Sequence, residues 1–532
     1  MNKQDKFFDR QLYLDILEKR LHDLKDGYRR NLAIIGEELV GKTSLIFNFL
    51  NKFYDNYIVF IYLEIRPEPL TLFAKRFIGV LLYNFLINSE IPLKEDLDFL
   101  INRASRYIPN TIEKIKTILI DLKKRRKNNI FTDLLSLSEI LHEETGKYCV
   151  IIFDEFHNLE NMEVKNIYAQ WSKLLILQKN TLYIIISSLS YKAQMILSKK
   201  LSLLFGNFEI LTLEPFDIKT TEEYLDNKLK DLKLNIEIKN FLVNFTGGYP
   251  FYLEIISEEL LKSASLNNLS EILENLIFEP TGILNQRFSN YLKRFLSLSH
   301  SQDYLGILYS IANGHNKIRD IAHNLHLTKK DINLKINCLL ELGAISRSGD
   351  FLKINDRVFS FWLKFVYQEK LHSLTFDDKA PKALFREKIE MMIQEFLSQS
   401  KKPIIDRTIE LLRLFSNEIV QIERKKLRLN NFREIKPLDL RSSGLKEGLI
   451  GRSQDSLWII AFKHDLLTEK DILEFSKECK KYRHKLQRKI IVALKDIDVN
   501  AKLRALEEKI LTWDLNSFNQ ILDLYYKPRL IV

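Results

Sequence analysis

Cysteine, proline and glycine are all scarce in this chain, at 3, 11 and 16 of 532 residues. Cys149, Cys338 and Cys479 are scattered, with neither metal-ligand spacing nor an even-numbered framework, which excludes a disulfide scaffold and a zinc finger. No window approaches the run of about 20 apolar residues that a membrane span requires. The opening Met-Asn-Lys-Gln-Asp-Lys lacks the apolar stretch of a secretory signal, so the expectation is a soluble, cytoplasmic chain without a membrane partner. Internal repeats and low-complexity linkers are missing as well.

What is plentiful is apolar content, at 46%, enough for several packed cores in a chain whose length implies roughly three or four domains. The formal charge is +11. Residues 381–532 hold 31 Lys and Arg against 22 Asp and Glu, so a surplus of nine sits in the last 152 residues. Such asymmetry fits a polyanionic partner, with nucleic acid in the lead, although a solvated basic face accounts for many single runs.

Apolar spacing then gives the elements. Ile16, Leu17, Leu21 and Leu24 mark a helix over Tyr13–Leu24. Short apolar runs predict strands at Leu32–Ile35, Tyr57–Leu63, Tyr148–Phe153, Leu182–Ser187 and Glu209–Leu213, with helices between them such as Phe131–His142. Strand alternating with helix implies an α/β fold with a parallel sheet covered on both faces. After Pro215 the pattern is helical to about Ile277, broken at Gly247-Gly248-Tyr249-Pro250. Residues 303–356 read as three helices and two short strands, a winged helix-turn-helix order. From about 376 helices flank an apolar strand at Leu457–Phe462. The expected domains are a core over 1–215, a helical lid over 216–285, a winged helix over 286–375 and a basic α/β domain over 376–532.

The chemistry is most legible at Gly36-Glu37-Glu38-Leu39-Val40-Gly41-Lys42-Thr43, which satisfies G-x-x-x-x-G-K-S/T directly after a strand and opens a helix at Ser44. Its glycines let consecutive N–H groups and the helix N-terminus face phosphate. Lys42 is expected to neutralise the β- and γ-phosphates of ATP and Thr43 to ligate Mg²⁺. A second apolar strand ends in Asp154-Glu155. Asp154 is expected to hold the Mg²⁺ shell, and Glu155 to orient or deprotonate the attacking water, although acids after strands also serve as helix caps.

These two motifs, with the strands between them, resemble the AAA+/STAND type of NTPase, and more narrowly the archaeal ATPase family related to origin-binding ATPases. Phe8-Asp9-Arg10 is similar to that family's N-terminal signature near the base, Ile186-Ser187-Ser188 falls at its sensor 1 position, and Gly247-Gly248-Tyr249-Pro250 is similar to its lid motif. The resemblance implies that Arg10 and Pro250 lie near the adenine and that Ser187 or Ser188 senses the γ-phosphate. It spans roughly residues 1–370. Two departures stand out. Gly206-Asn207 occupies the place where the family commonly carries a finger arginine, and the P-loop holds Glu37 and Glu38 where basic residues are usual. Both imply slow hydrolysis, which suits a switch better than a motor.

For DNA contact the candidates are Lys329, Lys330, Asn333, Lys335 and Asn337 on or near the third helix of the winged unit, with Arg347 and Lys353 in the wing. A protein-contact role for that unit is the alternative, as in a nucleotide switch acting on a protein partner. The last domain, with Lys463 at the end of its strand, resembles a PD-(D/E)xK nuclease core. The acid expected two residues before that lysine is Ala461, and Asp439 alone makes a poor metal site. The resemblance therefore implies a degenerate nuclease fold. Arg424-Lys425-Lys426 with Arg428, and Lys480-Lys481 with Arg483, Lys485, Arg488 and Lys489, would suit a phosphate backbone.

Overall fold

The computed structural model describes residues 7–87, 94–124, 129–201, 208–232, 234–263, 269–368, 371, 379–422, 425–440, 445, 447–482 and 485–531. The chain divides into two compact units, the first being Met1–Phe216 with Tyr249–Phe251 and Glu341–Gly343.

In that first unit, β1 (Asn31–Ile35), β2 (Ile58–Glu64), β3 (Tyr148–Asp154), β4 (Thr181–Ser187) and β5 (Phe208–Thr212) form one parallel sheet in the order β2-β3-β4-β1-β5. The expected strands agree with these to within one residue at each end. β1, β3 and β4 are nearly continuous apolar runs because both faces of the sheet are buried, the pattern of a parallel sheet covered by helices. One face carries Val59, Ile61, Cys149, Ile151, Phe153, Tyr183 and Ile185 into a core with Phe73 and Phe77 of helix Leu70–Leu86 and Phe131, Leu134 and Leu137 of helix Ile130–Thr145. Helix Gln11–Lys25 buries Leu14, Leu17, Leu21 and Leu24, and Arg20 ties it to β5 by pairing with Glu209 at 2.7 Å.

β4 lies between β1 and β3, so the P-loop strand and the acidic strand are next-nearest neighbours. The crevice at the carboxyl ends of these strands is where open α/β sheets receive ligands.

The second unit comprises Asp217–Gly248, Tyr252–Leu340 and Ala344–Val532. Its first stretch is helical, with Ile218–Lys228 capped by Asp217, Ile236–Thr246 ending at Gly247, and Ile283–Leu296. Helices Ser301–Ala312, Ile318–Asn324 and Lys329–Glu341 then lead to an antiparallel hairpin, β6 (Ile345–Ser348) and β7 (Phe351–Ile354). A second hairpin, β8 (Ile419–Ile422) and β9 (Lys425–Arg428), docks on the first. The Asp350 N–H donates to the Ile419 carbonyl at 2.8 Å, and Ser348 Oγ donates to the Gln421 carbonyl at 2.8 Å. Gly349 makes this approach possible: its φ is +62°, and a Cβ there would stand 2.1 Å from the Ile419 carbonyl oxygen.

Beyond it, β10 (Glu434–Asp439), β11 (Glu447–Arg452), β12 (Leu457–Lys463), β13 (Leu486–Ala493) and β14 (Leu511–Trp513) make a mixed sheet in sequence order, antiparallel for the first two pairs and parallel for the last two. The apolar strand read from the sequence, β12, is its central and most buried member. Among the described residues, no helix is long and apolar enough to cross a membrane.

Candidate functional site

The P-loop leaves β1 at Gly36, where a Cβ would lie 2.2 Å from the Leu213 carbonyl oxygen; only glycine lets the loop pass so close to the end of β5. Leu39 and Gly41 both take positive φ, +70° and +92°, turning the chain before helix Lys42–Lys52 begins. Val40 is buried and anchors the loop, whereas Thr43 and Ser44 are exposed in the first helical turn, the position of an anion-binding helix N-terminus.

Lys42 is buried, and its Nζ donates to the Glu37 carbonyl at 2.6 Å, so the ammonium lies over the loop. Burial lowers its pKa from the ordinary value, while Glu155, Asp154, Glu38 and Glu37 act to raise it. Thr43 Oγ1 donates to Asp154 Oδ2 at 2.9 Å, and Tyr62, from β2, donates to the same oxygen at 2.8 Å. A helix-start hydroxyl beside a strand-end carboxylate is the oxygen donor set that a hard cation takes, so the residues present fit Mg²⁺.

Glu155 follows at φ +53°, a conformation that costs a non-glycine residue of order 1–3 kcal/mol and turns its side chain off the strand. Its Oε2 accepts from the Ser188 N–H at 3.1 Å and from Ser188 Oγ at 2.8 Å. Burial raises the Glu155 carboxyl above the ordinary glutamate value, against the lowering by both Ser188 hydrogen bonds and by Lys42. A base with raised affinity for a proton is better matched to water activation near neutral pH. His157 Nδ1 lies 2.8 Å from Ser187 Oγ and 3.3 Å from Glu155 Oε2; burial first, then Lys192, depresses it to about 4, so it is neutral at pH 7. Ser187, Ser188, Glu155 and His157 thus form one network at the ends of β3 and β4.

Tyr62 and His157 were not singled out in the sequence, and Tyr249 entered only as part of the lid motif. The Tyr249 hydroxyl donates to Glu37 Oε2. Glu37, an oddity in a phosphate loop, therefore anchors the residue that precedes Pro250. Arg10 donates to the Glu214 carbonyl and stacks over the Phe216 ring, 4.8 Å from its centre, which holds the Phe8-Asp9-Arg10 segment against the chain leaving β5. Gly206-Asn207 lies outside the described residues.

Residues 7–256 match the family described as an ATPase domain predominantly from Archaea. The matched segment contains the whole network above, Tyr249 included. An uncharacterized ATP-binding protein of Pyrococcus abyssi is 29% identical over 257 residues, 46% of this chain and 71% of the relative. Another from Methanocaldococcus jannaschii is 25% identical over 317 residues, 54% and 77% of the two chains. Among solved structures, a Walker-type ATPase of Pyrococcus abyssi aligns over 68% of this chain and 96% of its own, at 20% identity and a TM-score of 0.47.

The residues read as nucleic-acid candidates are dispersed. Lys329 and Lys330 are exposed at the start of their helix, and Asn333 Nδ2 donates to the Lys329 carbonyl at 2.7 Å. Asn337 is exposed on the same helix, whereas Lys335 pairs with Asp303 at 2.8 Å. Arg347 is exposed on β6, its Nε donating to the Gly349 carbonyl at 3.0 Å. Lys353, read as a wing contact, instead pairs with buried Asp523 at 2.8 Å, because β7 turns that face inward. Lys425, Lys426 and Arg428 are exposed on β9, and Lys485 is exposed at φ +68° before β13. Lys481 pairs with Glu478, and Lys489 donates to the Glu508 carbonyl. Arg424 and Arg483 fall outside the described residues.

At the nuclease-like position, Lys463 Nζ pairs at 2.9 Å with Asp471, which is itself the capping-box acid of helix Glu469–Cys479. Asp439 sits opposite Glu447 in the β10–β11 register. No group of three or more His, Cys, Asp or Glu suited to a metal occurs among the described residues.

Proposed function

We propose that the ATPase domain hydrolyses ATP slowly with Mg²⁺ and couples nucleotide state to DNA association through the basic surface of residues 286–532. The observation that carries the hydrolytic half is the network that joins Thr43, Asp154, Glu155 and Ser188. Lys42 would neutralise the β- and γ-phosphates, with Gly36 to Ser44 wrapping them. Thr43 and Asp154 would hold Mg²⁺, which when bound offsets charge on the phosphates. Glu155 accepts a proton from the attacking water, its raised pKa favouring that role. Ser188 fixes the carboxylate so that it faces the phosphate end of the loop rather than solvent. Glu37 and Glu38 add negative charge beside the phosphates, which supports slow turnover.

Support for the DNA half is the docked hairpin pair. Ser348 bonds Gln421, and Gln421 is the register partner of Lys426, which brings exposed Arg347, Lys425, Lys426 and Arg428 into one neighbourhood. Basic side chains grouped in this way suit a phosphate backbone without base readout. In this reading residues 286–375 act as a winged helix and residues 376–532 as a degenerate nuclease fold kept for binding.

The deciding experiment is steady-state ATP hydrolysis with and without double-stranded DNA, with Glu155→Gln as the control. Turnover that rises with DNA and vanishes in the variant supports the coupled reading. Slow turnover indifferent to DNA, with no DNA retention at low salt, would overturn it in favour of a nucleotide switch acting on a protein partner.

A further inference from the structure

The second compact unit contains a cavity of about 240 Å³ far in sequence from the P-loop, lined by residues of helices Ile236–Thr246, Arg357–Trp362 and Lys379–Ser400 and by the chain around 523–528. Its volume equals roughly eight water molecules at about 30 Å³ each. One wall is built of rings. Phe241, Phe245, Phe361 and Phe396 face it, with Phe241 and Phe245 stacked 5.7 Å apart and Phe361 edge-on to Phe245 at 5.5 Å.

The same lining carries cations. Asp523 is buried, and three cations converge on its carboxylate: Lys353 at 2.8 Å, Arg529 at 2.9 Å and Arg357 at 3.3 Å. Of these Lys353 and Arg357 line the cavity, as does Lys527, whose Nζ is 3.9 Å from Glu410. The acids lining it are Asp523, already committed to three partners, and the solvent-exposed Glu395. Three cations on one carboxylate leave a net positive charge, and their like charges repel one another. Burial, with Arg529 and Arg357 adding to it, lowers the Lys353 ammonium from its ordinary value in spite of Asp523.

A space lined by both rings and cations recognises a flat apolar body that ends in a negative charge. The rings supply contact area, and the guanidinium and ammonium groups supply charge-assisted hydrogen bonds. We propose that this cavity binds a small aromatic anion, its phosphate or carboxylate on Arg357 and Lys353 and its ring against Phe245 and Phe361. The ligand would join the β7 wall to the chain after helix Leu515–Leu524 and so stabilise the second unit. This site is separate from the P-loop and does not depend on ATP turnover.

The test uses the full chain carrying Lys42→Ala, so that the P-loop does not take up the phosphate probe. Isothermal titration with phenyl phosphate, benzoate, inorganic phosphate and benzyl alcohol reads the rings and the cations separately. One equivalent of phenyl phosphate or benzoate should bind, with the tighter of the two naming the head group. Inorganic phosphate and benzyl alcohol should each bind at least about tenfold more weakly. Arg357→Gln should weaken the aromatic anion by about tenfold or more. Because Arg357→Gln also removes an ion pair of Asp523, Ser360→Tyr, which fills the cavity and keeps every ion pair, should abolish binding with the unfolding temperature preserved. No saturable binding of either aromatic anion at millimolar concentration, or equal binding by both variants, would overturn the assignment.

Discussion

Ser188 gives the Glu155 carboxylate both of the hydrogen bonds it has to offer, one from its main-chain N–H at 3.1 Å and one from its hydroxyl at 2.8 Å. Both lower the Glu155 pKa against the rise that burial imposes. Ser188→Ala deletes the hydroxyl and keeps the N–H, so the pKa should climb further. The acid limb of the single-turnover rate against pH should then move to higher pH by about half a unit to one unit, equivalent to roughly 1 kcal/mol. ATP affinity should be unchanged. A limb that stays in place would remove Ser188 from the role of positioning the base.

Lys42 and Glu155 should separate cleanly in binding and turnover. Lys42→Ala removes the buried ammonium that lies over the loop and should cost at least about a hundredfold in ATP affinity, since charge-assisted bonds to phosphate are among the strong ones. Glu155→Gln keeps the shape and the Ser188 contacts, so ATP should bind within about threefold of wild type while turnover falls by about a hundredfold or more. Equilibrium binding of a fluorescent ATP analogue, set beside phosphate release, checks both. Equal loss of binding in the two variants would contradict these roles.

Tyr62→Phe tests the support of the metal position. The Tyr62 hydroxyl and Thr43 Oγ1 bond the same Asp154 oxygen. Without the phenol, the Mg²⁺ concentration for half-maximal hydrolysis should rise by about tenfold, the usual cost of losing an outer-sphere partner. ATP affinity measured without Mg²⁺ should hold. A Mg²⁺ titration identical to wild type would reduce Tyr62 to packing, where it also stands 4.9 Å from the Phe47 ring.

The elements that carry this site were legible because their signals are local. Three buried strands, β1, β3 and β4, announce themselves as apolar runs ended by Gly36, Asp154 and Ser188, and the P-loop is a fixed spacing of glycine, lysine and hydroxyl. What escaped was set by pairing across the fold. Tyr62, His157 and Tyr249 are ordinary aromatic residues in sequence, and nothing in their neighbours states that they meet Asp154, Ser187 and Glu37. Glu37 was read only as a P-loop residue standing where basic residues are usual, and its acceptance of the Tyr249 hydroxyl could not be seen. Lys425-Lys426-Leu427-Arg428 looked like a charge run because a four-residue strand with one buried residue leaves almost no alternation to see.

Gly349 sets how closely the two basic hairpins approach. Gly349→Ala would place a Cβ 2.1 Å from the Ile419 carbonyl oxygen at a φ of +62°, so the two hairpins must move apart at a cost of at least about 1 kcal/mol. DNA affinity should fall, with ATP binding at the P-loop unaffected. Lys425→Gln and Lys426→Gln should each reduce the slope of log affinity against log salt by about one. Anisotropy titrations at several salt concentrations check both. Unchanged slopes would remove this surface from DNA contact.

His157 makes the fold sensitive to acid in a defined window. Burial holds its pKa at about 4, against 6.5 for the exposed imidazole of an unfolded chain. Between those values the unfolded chain binds a proton that the folded chain refuses, so stability rises with pH and is lost as pH falls from about 6.5 to 4. The full effect is about 3 kcal/mol, at 1.36 kcal/mol for each pKa unit. His157→Gln can keep a hydrogen bond to Ser187 without titrating, and its unfolding transition should depend less steeply on pH across this window. The check is the urea midpoint of the transition that reports the first unit, followed at half-unit pH steps by the fluorescence of Trp171 in chains whose other three tryptophans are replaced by phenylalanine. Parallel midpoint curves for wild type and variant would place the acid sensitivity elsewhere. A curve that flattens only below pH 6.5 would assign it to the imidazole beside Glu155.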